Sequence, residues 1–186
     1  MTIILPTCLF AQQNPSVLAL SPFASFQTYS STLGFAQSLT YGVSLVYHSP
    51  LPRTAVFARI AYGKTDVEFD LVGSQDRIQI NTTSYQIGIH HQVLDVAGLF
   101  EIALSGSGGR ISFSRPEKTI SLGALGSTTI SGKTETQTIF SAGALFSRSL
   151  SSRISVHLSP EAHFITPLSG KQGNYSISGG LAIGIL

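Results

Sequence analysis

The amino-acid sequence predicts an all-β fold, an eight-stranded antiparallel up-and-down barrel whose strands cross a membrane. Three observations indicate it. Apolar and small polar residues alternate with a period of two in eight segments. Charged residues make up 11% of the chain, against roughly 25% in a typical soluble domain, and most of them lie between those segments. Short and long connections alternate, as periplasmic turns and extracellular loops do in transmembrane barrels.

The N-terminal segment is interpreted separately from the strands. Residues 3–11 (IILPTCLFA) are apolar and end at a small residue, as the end of a secretory signal does. We therefore expect residues 1–13 to be the remnant of a signal peptide and residues 14–186 to form the barrel. The alternative is a short N-terminal strand or tail.

The clearest strand is LGFAQSLTYGVSLVY, residues 33–47, in which Leu, Phe, Tyr and Val occupy one parity and mostly Gly, Ala, Ser and Thr the other. No helix has this period. Phe23 and Phe57 lie on the opposite parity, which indicates either bulges or packing in the interior. The eight predicted strands are 17–27, 33–47, 56–62, 85–93, 100–105, 140–146, 154–164 and 175–186.

The lengths of the connections predict which end of the barrel is periplasmic and which is extracellular. Turn-sized connections follow the second, fourth and sixth strands, which predicts periplasmic turns there and places both termini on the same side. The long polar connections at 64–79 and 114–134 are predicted to be extracellular loops.

A soluble eight-stranded barrel is the competing architecture, and charge placement argues against it. Its outer face should carry charged residues, whereas here only Arg59, Glu101 and Glu161 lie inside strands, and all three have the inward parity. The sequence contains no run of 18 apolar residues, so it predicts no helical membrane span. Its basic residues are scattered, which argues against a nucleic-acid partner.

From residue 16 to 186 the sequence resembles the small outer-membrane barrels of Gram-negative bacteria, the OmpA/OmpX-like barrel family. The alternating last strand, YSISGGLAIGIL, is the most specific part of the resemblance, although family members usually end in Phe and this chain ends at Leu186. The resemblance implies a porin-like barrel of the bacterial cell outer membrane. Its implied partners are the lipid bilayer, lipopolysaccharide and the barrel-assembly machinery, and we expect a monomer.

We predict a non-enzymatic role, structural or exercised through the extracellular loops, with no catalytic, cofactor-binding or metal site. One alternative is a lipid hydrolase, because His157 and Ser159 form an H-x-S pattern similar to that of the lipid A deacylases, with Glu161 two residues on. However, neighbouring members of that set would be about 6.6 to 7 Å apart along one strand. A narrow pore is the other alternative.

A polar network is predicted inside the barrel. A two-residue turn at Asp95 and Val96 would place His90 opposite Glu101. Arg59 is then expected to pair with Glu101, because a charge in a narrow lumen needs a partner. His157 is expected to approach from the far wall, and Glu161 to form a second cluster with His163 or the serine-rich wall. Such a network would close the lumen.

A lipopolysaccharide contact is predicted at the extracellular end. Four basic residues there would lie near the lipopolysaccharide phosphates, which guanidinium and ammonium groups bind well. They are Arg110, Arg115, Lys118 and Lys133.

Overall fold

Eight antiparallel strands close into a barrel in the computed structural model, which describes residues 17–28, 37–71, 74–96, 100–121, 126–166 and 174–185. The predicted fold is confirmed, whereas the predicted signal remnant, residues 1–13, lies outside the described residues. The strands are β1 (Leu18–Thr28), β2 (Ser38–His48), β3 (Thr54–Leu71), β4 (Ser74–Val96), β5 (Phe100–Arg115), β8 (Lys133–Ser149), β9 (Ile154–Thr166) and β10 (Asn174–Gly184), with a separate hairpin of β6 (Lys118–Ser121) and β7 (Ser127–Ile130).

The barrel closes where the first and last strands meet. β1 pairs with β2 on one side and with β10 on the other, so that Leu20 lies opposite both Leu45 and Ile183. Around the barrel the order is β1-β10-β9-β8-β5-β4-β3-β2. This order puts β3 and β9 on opposite walls, four strands apart in either direction.

An apolar band covers the outside of the barrel. The side chains of Ile87, Leu104 and Ile177 are 69%, 58% and 57% exposed, although each lies mid-strand on the predicted apolar parity. Water would make so large an apolar surface costly, whereas the hydrocarbon of a bilayer covers it favourably. In the described segments, no helix is long and apolar enough to cross a membrane.

Exposed aromatic side chains lie towards both ends of this band. Tyr62 departs from the pattern, because it is half-buried and its hydroxyl donates to Asn81 Oδ1 at 3.1 Å. The exposed aromatics are Phe26, Tyr41, Tyr85, Phe140, Phe164 and Tyr175 towards the loop end, and Tyr47, Phe100 and Phe146 towards the turn end.

The two long polar connections are mostly strand rather than loop, so that prediction was wrong. β3 and β4 remain paired up to Leu71 and Ser74, and the second connection contains the end of β5, the β6–β7 hairpin and the start of β8. The reason is that polar residues also pair well across strands. Ser112 Oγ lies 2.9 Å from Thr136 Oγ1 on the extended β5–β8 pair.

The predicted register between β4 and β5 was also wrong. Asp95 and Val96 do not form a turn, because they pair with Glu101 and Phe100 in the ladder. An irregularity between Gln92 and Leu94 inserts one extra residue, as a β-bulge does. Because the ladder runs on to the Val96–Phe100 pair, His90 lies opposite Ser105 and not opposite Glu101.

Candidate functional site

Apolar side chains from four adjacent strands pack inside the loop end of the lumen. Ile111 and Ile139 are 3% and 1% exposed, and they pack in one cluster with residues from β4 and β9. These positions have the inward parity, where the sequence pattern predicts small polar residues. We call this cluster the apolar layer; it consists of Ile80, Ile111, Phe113, Ile139 and Ile165.

A layer of neutral polar side chains includes His163, a member of the predicted second cluster. His163 Nδ1 lies 2.7 Å from Ser141 Oγ, and Nε2 lies 2.7 Å from Ser176 Oγ. Gln86 Oε1 accepts from Ser107 at 2.8 Å and from Ser141 at 3.3 Å. With Ser141 donating to Gln86, His163 donates from Nδ1 and accepts from Ser176 at Nε2. Serine hydroxyls therefore satisfy His163, and Glu161 has other partners.

A bidentate ion pair spans the lumen between Arg59 on β3 and Glu161 on β9. Arg59 Nη1 donates to Oε2 at 2.8 Å and Nη2 to Oε1 at 2.9 Å, and the two side chains are 11% and 2% exposed. The predicted pairing of Arg59 with Glu101 was therefore wrong. Glu101 is exposed at the turn end of β5, where Ser147 Oγ is 3.5 Å from its Oε2. The shifted register moved it away from Arg59.

Two inward phenylalanines pack around the guanidinium group. Arg59 Cζ lies 5.1 Å from the ring centroids of both Phe23 and Phe57, within the range of a cation–π contact. Arg59 Nε donates to Ser44 Oγ at 3.3 Å, and Ser159 Oγ donates to Glu161 at 3.1 Å. Packing in the interior therefore explains why both phenylalanines break the parity, as one of the two interpretations predicted.

Inward glycines make room for those rings. A Cβ atom on Gly42 would lie 2.7 Å from Phe23 Cζ, and one on Gly88 would lie 2.5 Å from Phe57 Cζ. Side chains at these two positions would displace the rings from the guanidinium group.

The two histidines of the predicted network do not hydrogen-bond to the ion pair within the described part of the chain. His90 stacks on Phe57 with ring centroids 4.3 Å apart, and its Nδ1 is buried without a partner in that part. His157 is half-buried and lines the lumen on the turn side of Glu161.

The arrangement does not assemble a hydrolytic triad. Ser159 is 1% exposed, and its hydroxyl lies 3.0 Å from the Ala144 carbonyl oxygen and 3.1 Å from Glu161. A nucleophilic serine needs a base within about 2.6 to 3.2 Å, and His157 makes no such hydrogen bond among the described residues. Nor do the described residues contain a cluster of three or more His, Cys, Asp or Glu placed for a metal ion.

The four basic residues of the predicted lipopolysaccharide contact differ in their surroundings. Arg110 is exposed on the outward parity of β5, opposite Tyr85. The other three have contacts within the protein. Arg115 Nη2 donates to the Ser131 carbonyl at 3.0 Å, Lys118 Nζ donates to the Arg77 carbonyl at 2.5 Å, and Lys133 Nζ lies 2.5 Å from Glu135 Oε1.

Comparison with known proteins relies on structure, because no family model and no curated protein matches the sequence. Neisserial surface protein A matches with a TM-score of 0.61 and 12% identity over 91% of this chain and 98% of its own. The chain has the fold of the small outer-membrane β-barrels. This outer-membrane barrel also matches a major outer membrane protein from Thermus thermophilus, with a TM-score of 0.56 and 13% identity over 89% and 98% of the two chains. Outer membrane protein OprG from Pseudomonas aeruginosa matches with a TM-score of 0.53 and 8% identity over 92% and 95%.

The exterior of the barrel agrees with this structural similarity. The apolar band of Ile87, Leu104 and Ile177 is the kind of surface that such barrels turn towards lipid.

Proposed function

We propose that this outer-membrane barrel is non-enzymatic and acts at its extracellular end, where it contacts lipopolysaccharide phosphates. The observation that carries the proposal is the position of Arg110. This arginine is exposed on the outer wall at the edge of the apolar band.

The outer wall changes character at Arg110. Along β5 the outward positions before it are Leu104, Gly106 and Gly108, all of which suit lipid. The next outward position is Ser112, which pairs with the Thr136 hydroxyl. An arginine at such an apolar-to-polar boundary lies where lipid phosphates begin, and its guanidinium can bind phosphate with two parallel hydrogen bonds.

The other three basic residues should contribute less than Arg110. Arg115, Lys118 and Lys133 already donate to groups of the protein itself. A lysine keeps further N–H donors, so it can still attract phosphate as a point charge. We therefore expect the contact to depend mainly on Arg110, with the other three adding a weaker attraction.

The test compares two exposed arginines on the outer wall. Arg110→Glu should loosen the retention of lipopolysaccharide during detergent extraction, because it replaces an attraction to phosphate with repulsion. Arg148 is the matched control, since it is exposed on the outward parity of β8 at the turn end. Arg148→Glu should retain as much as the unmutated protein. Equal retention by the Arg110→Glu barrel, folded as judged by heat-modifiable migration, would overturn the contact.

Barrel assembly and oligomeric state belong to the same proposal. We expect β10 to be the strand that the barrel-assembly machinery reads, and pairing of β10 with β1 leaves neither terminal strand as a free edge. This closure supports a monomer. The described residues favour neither alternative function, because the apolar layer places bulky side chains inside the lumen and Ser159 lacks a histidine partner.

A further inference from the structure

The turn half of the lumen is a cavity of about 480 Å³ that the proposed function does not use. Phe23, Arg59 and His90 lie at its inner end, and the turns at 49–53 and 149–153 line its opening. Cavities of roughly 300 to 1,000 Å³ are typical of small-molecule sites. We call this space the turn-end cavity.

Hydroxyl groups line much of the turn-end cavity. They come from several strands around the barrel, so they surround the space rather than forming one polar face. A wall of this kind favours a solute with several hydrogen-bonding groups over an apolar one. We call it the serine wall; it includes Ser21, Ser44, Ser147, Ser155 and Ser178.

Arg59 and His90 close the inner end of the cavity. A guanidinium has five N–H groups, and three of those on Arg59 are directed to Glu161 and Ser44. His90, which is 8% exposed, has an Nδ1 atom with no partner among the described residues. That atom is buried, so His90 lines the cavity with its ring and can report on a bound solute without hydrogen-bonding to it.

The charges at the opening favour an anion. The described lining contains three arginines and one acidic residue, Glu101, and Glu161 already neutralises Arg59. Arg53 and Arg153 are exposed on the turns that follow β2 and β8. Because those turns are four strands apart around the barrel, the two arginines flank the opening from opposite sides.

We propose that the turn-end cavity binds a small hydroxylated anion, a carboxylate or a phosphate ester, that enters from the turn end. Arg53 and Arg153 bind the anionic group, while the serine wall binds the hydroxyl groups. Glycerol 3-phosphate is a suitable probe, since glycerol provides the same hydroxyl groups without the charge.

The test is a titration of the folded full-length barrel in lipid nanodiscs with glycerol 3-phosphate, glycerol and inorganic phosphate. The imidazole signals of His90 and His157 should shift and saturate with glycerol 3-phosphate. Glycerol should bind about tenfold more weakly or worse, because a charged hydrogen bond contributes roughly 1.5 to 3 kcal/mol. Binding of inorganic phosphate alone should leave the His90 signal unshifted, which would assign the anion to the opening.

Variants locate the site. Arg53 has a backbone φ of 61°, which asparagine tolerates better than most residues, so Arg53→Asn removes the charge while keeping the turn. Arg53→Asn with Arg153→Ser should lower the affinity at least about tenfold, and Arg153→Ser alone should lower it less. Arg148→Ser is the control outside the cavity and should leave the affinity unchanged.

Two outcomes would overturn the inference: imidazole signals that do not move on titration, or an unchanged affinity in folded Arg153→Ser. Arg110→Glu should not affect this titration, because Arg110 lies on the outer wall. The cavity and the lipopolysaccharide contact can therefore fail independently.

Discussion

Arg59 and Glu161 are 102 residues apart in the chain, yet they form a bidentate ion pair across the barrel, with N–O distances of 2.8 and 2.9 Å. Because β3 and β9 lie on opposite walls, the ion pair connects the two walls across the interior instead of joining adjacent strands. Ser44 and Ser159 bond to the two charged groups, and Phe23 and Phe57 pack around the guanidinium. The charges are therefore both paired and shielded from water.

Removing one partner of this pair should destabilise the barrel strongly. Glu161→Gln leaves the Arg59 charge in place with the negative charge of Glu161 gone, and breaking a buried pair in this way costs roughly 3 to 5 kcal/mol. Unfolding by urea in detergent micelles measures the loss. Glu101→Gln is the matched control, because Glu101 is exposed and should change the free energy of unfolding very little.

A double variant separates the charge from the packing. Arg59→Met with Glu161→Leu removes both charges and leaves apolar groups against the two phenylalanines, so it should recover much of the stability lost in Glu161→Gln. Equal unfolding midpoints for Glu161→Gln and Glu101→Gln would contradict the account of a desolvated pair.

Two glycines on opposite sides of the barrel wall should respond differently to the same substitution. A Cβ atom on Gly88 would lie 2.5 Å from both Phe57 Cζ and the Gly106 carbonyl oxygen, whereas one on Gly106 meets nothing within 4 Å. Gly88→Ala should therefore cost about 1 to 3 kcal/mol, and Gly106→Ala should stay within about 0.5 kcal/mol of the unmutated protein. Urea midpoints of the two variants, measured side by side, check this. A neutral Gly88→Ala would show that the ring of Phe57 is free to move.

Alternation alone predicted the barrel because each strand in the band has unlike surroundings on its two sides. Ile87 and Leu104 face outward and small residues such as Gly88 face inward, as the parity indicates. The loop end did not follow this parity, because Ile111 and Ile139 point inward there although they are apolar. Above the band both sides of a strand can be polar or apolar, so parity no longer predicts the interior.

Contacts across the lumen could not be predicted because they depend on register and closure. The β4–β5 ladder runs on to the Val96–Phe100 pair, which places Glu101 opposite Asp95 instead of opposite His90. The partner of Arg59 lies on a strand that becomes its opposite wall only once β1 meets β10. A signal was nevertheless present: Phe57 shares the inward parity of Arg59, and a large ring on a face of small residues indicates a packed interior.

Lys133 should control the titration of Glu135, its neighbour at the start of β8. The hydrogen bond from Lys133, and then its charge, lower the pKa of Glu135 below the ordinary value for a glutamate. Lys133→Gln should raise that pKa towards the ordinary value, whereas Lys118→Gln should leave it where it is. Carbon-13 NMR of the Glu135 carboxyl group follows both titrations. A depressed pKa stabilises the folded state at pH values above the unfolded pKa, and this small contribution should fade as the pH falls through the folded pKa. An unshifted Glu135 pKa in Lys133→Gln would mean that the pair does not persist in solution.

The lumen should not conduct ions, because two different barriers lie in series along it. The interior of an eight-stranded barrel is only just wide enough for its own side chains. The apolar layer, including Ile111 and Ile139, should exclude hydrated ions, and the Arg59–Glu161 pair crosses the lumen nearer the turn end. In planar bilayers the unmutated protein should show no steady openings.

The two barriers predict an order of effects in the same bilayer recordings. Glu161→Gln should remain silent despite its lower stability, because the apolar layer is intact in that variant. Only a barrel that combines Glu161→Gln with Ile111→Ser and Ile139→Ser lets water into both parts of the lumen, and only that barrel should show small openings. Large steady openings in Glu161→Gln alone would mean that the apolar layer is no barrier and that the ion pair by itself holds the lumen shut. Openings in the unmutated protein would mean that neither the apolar layer nor the ion pair closes the lumen.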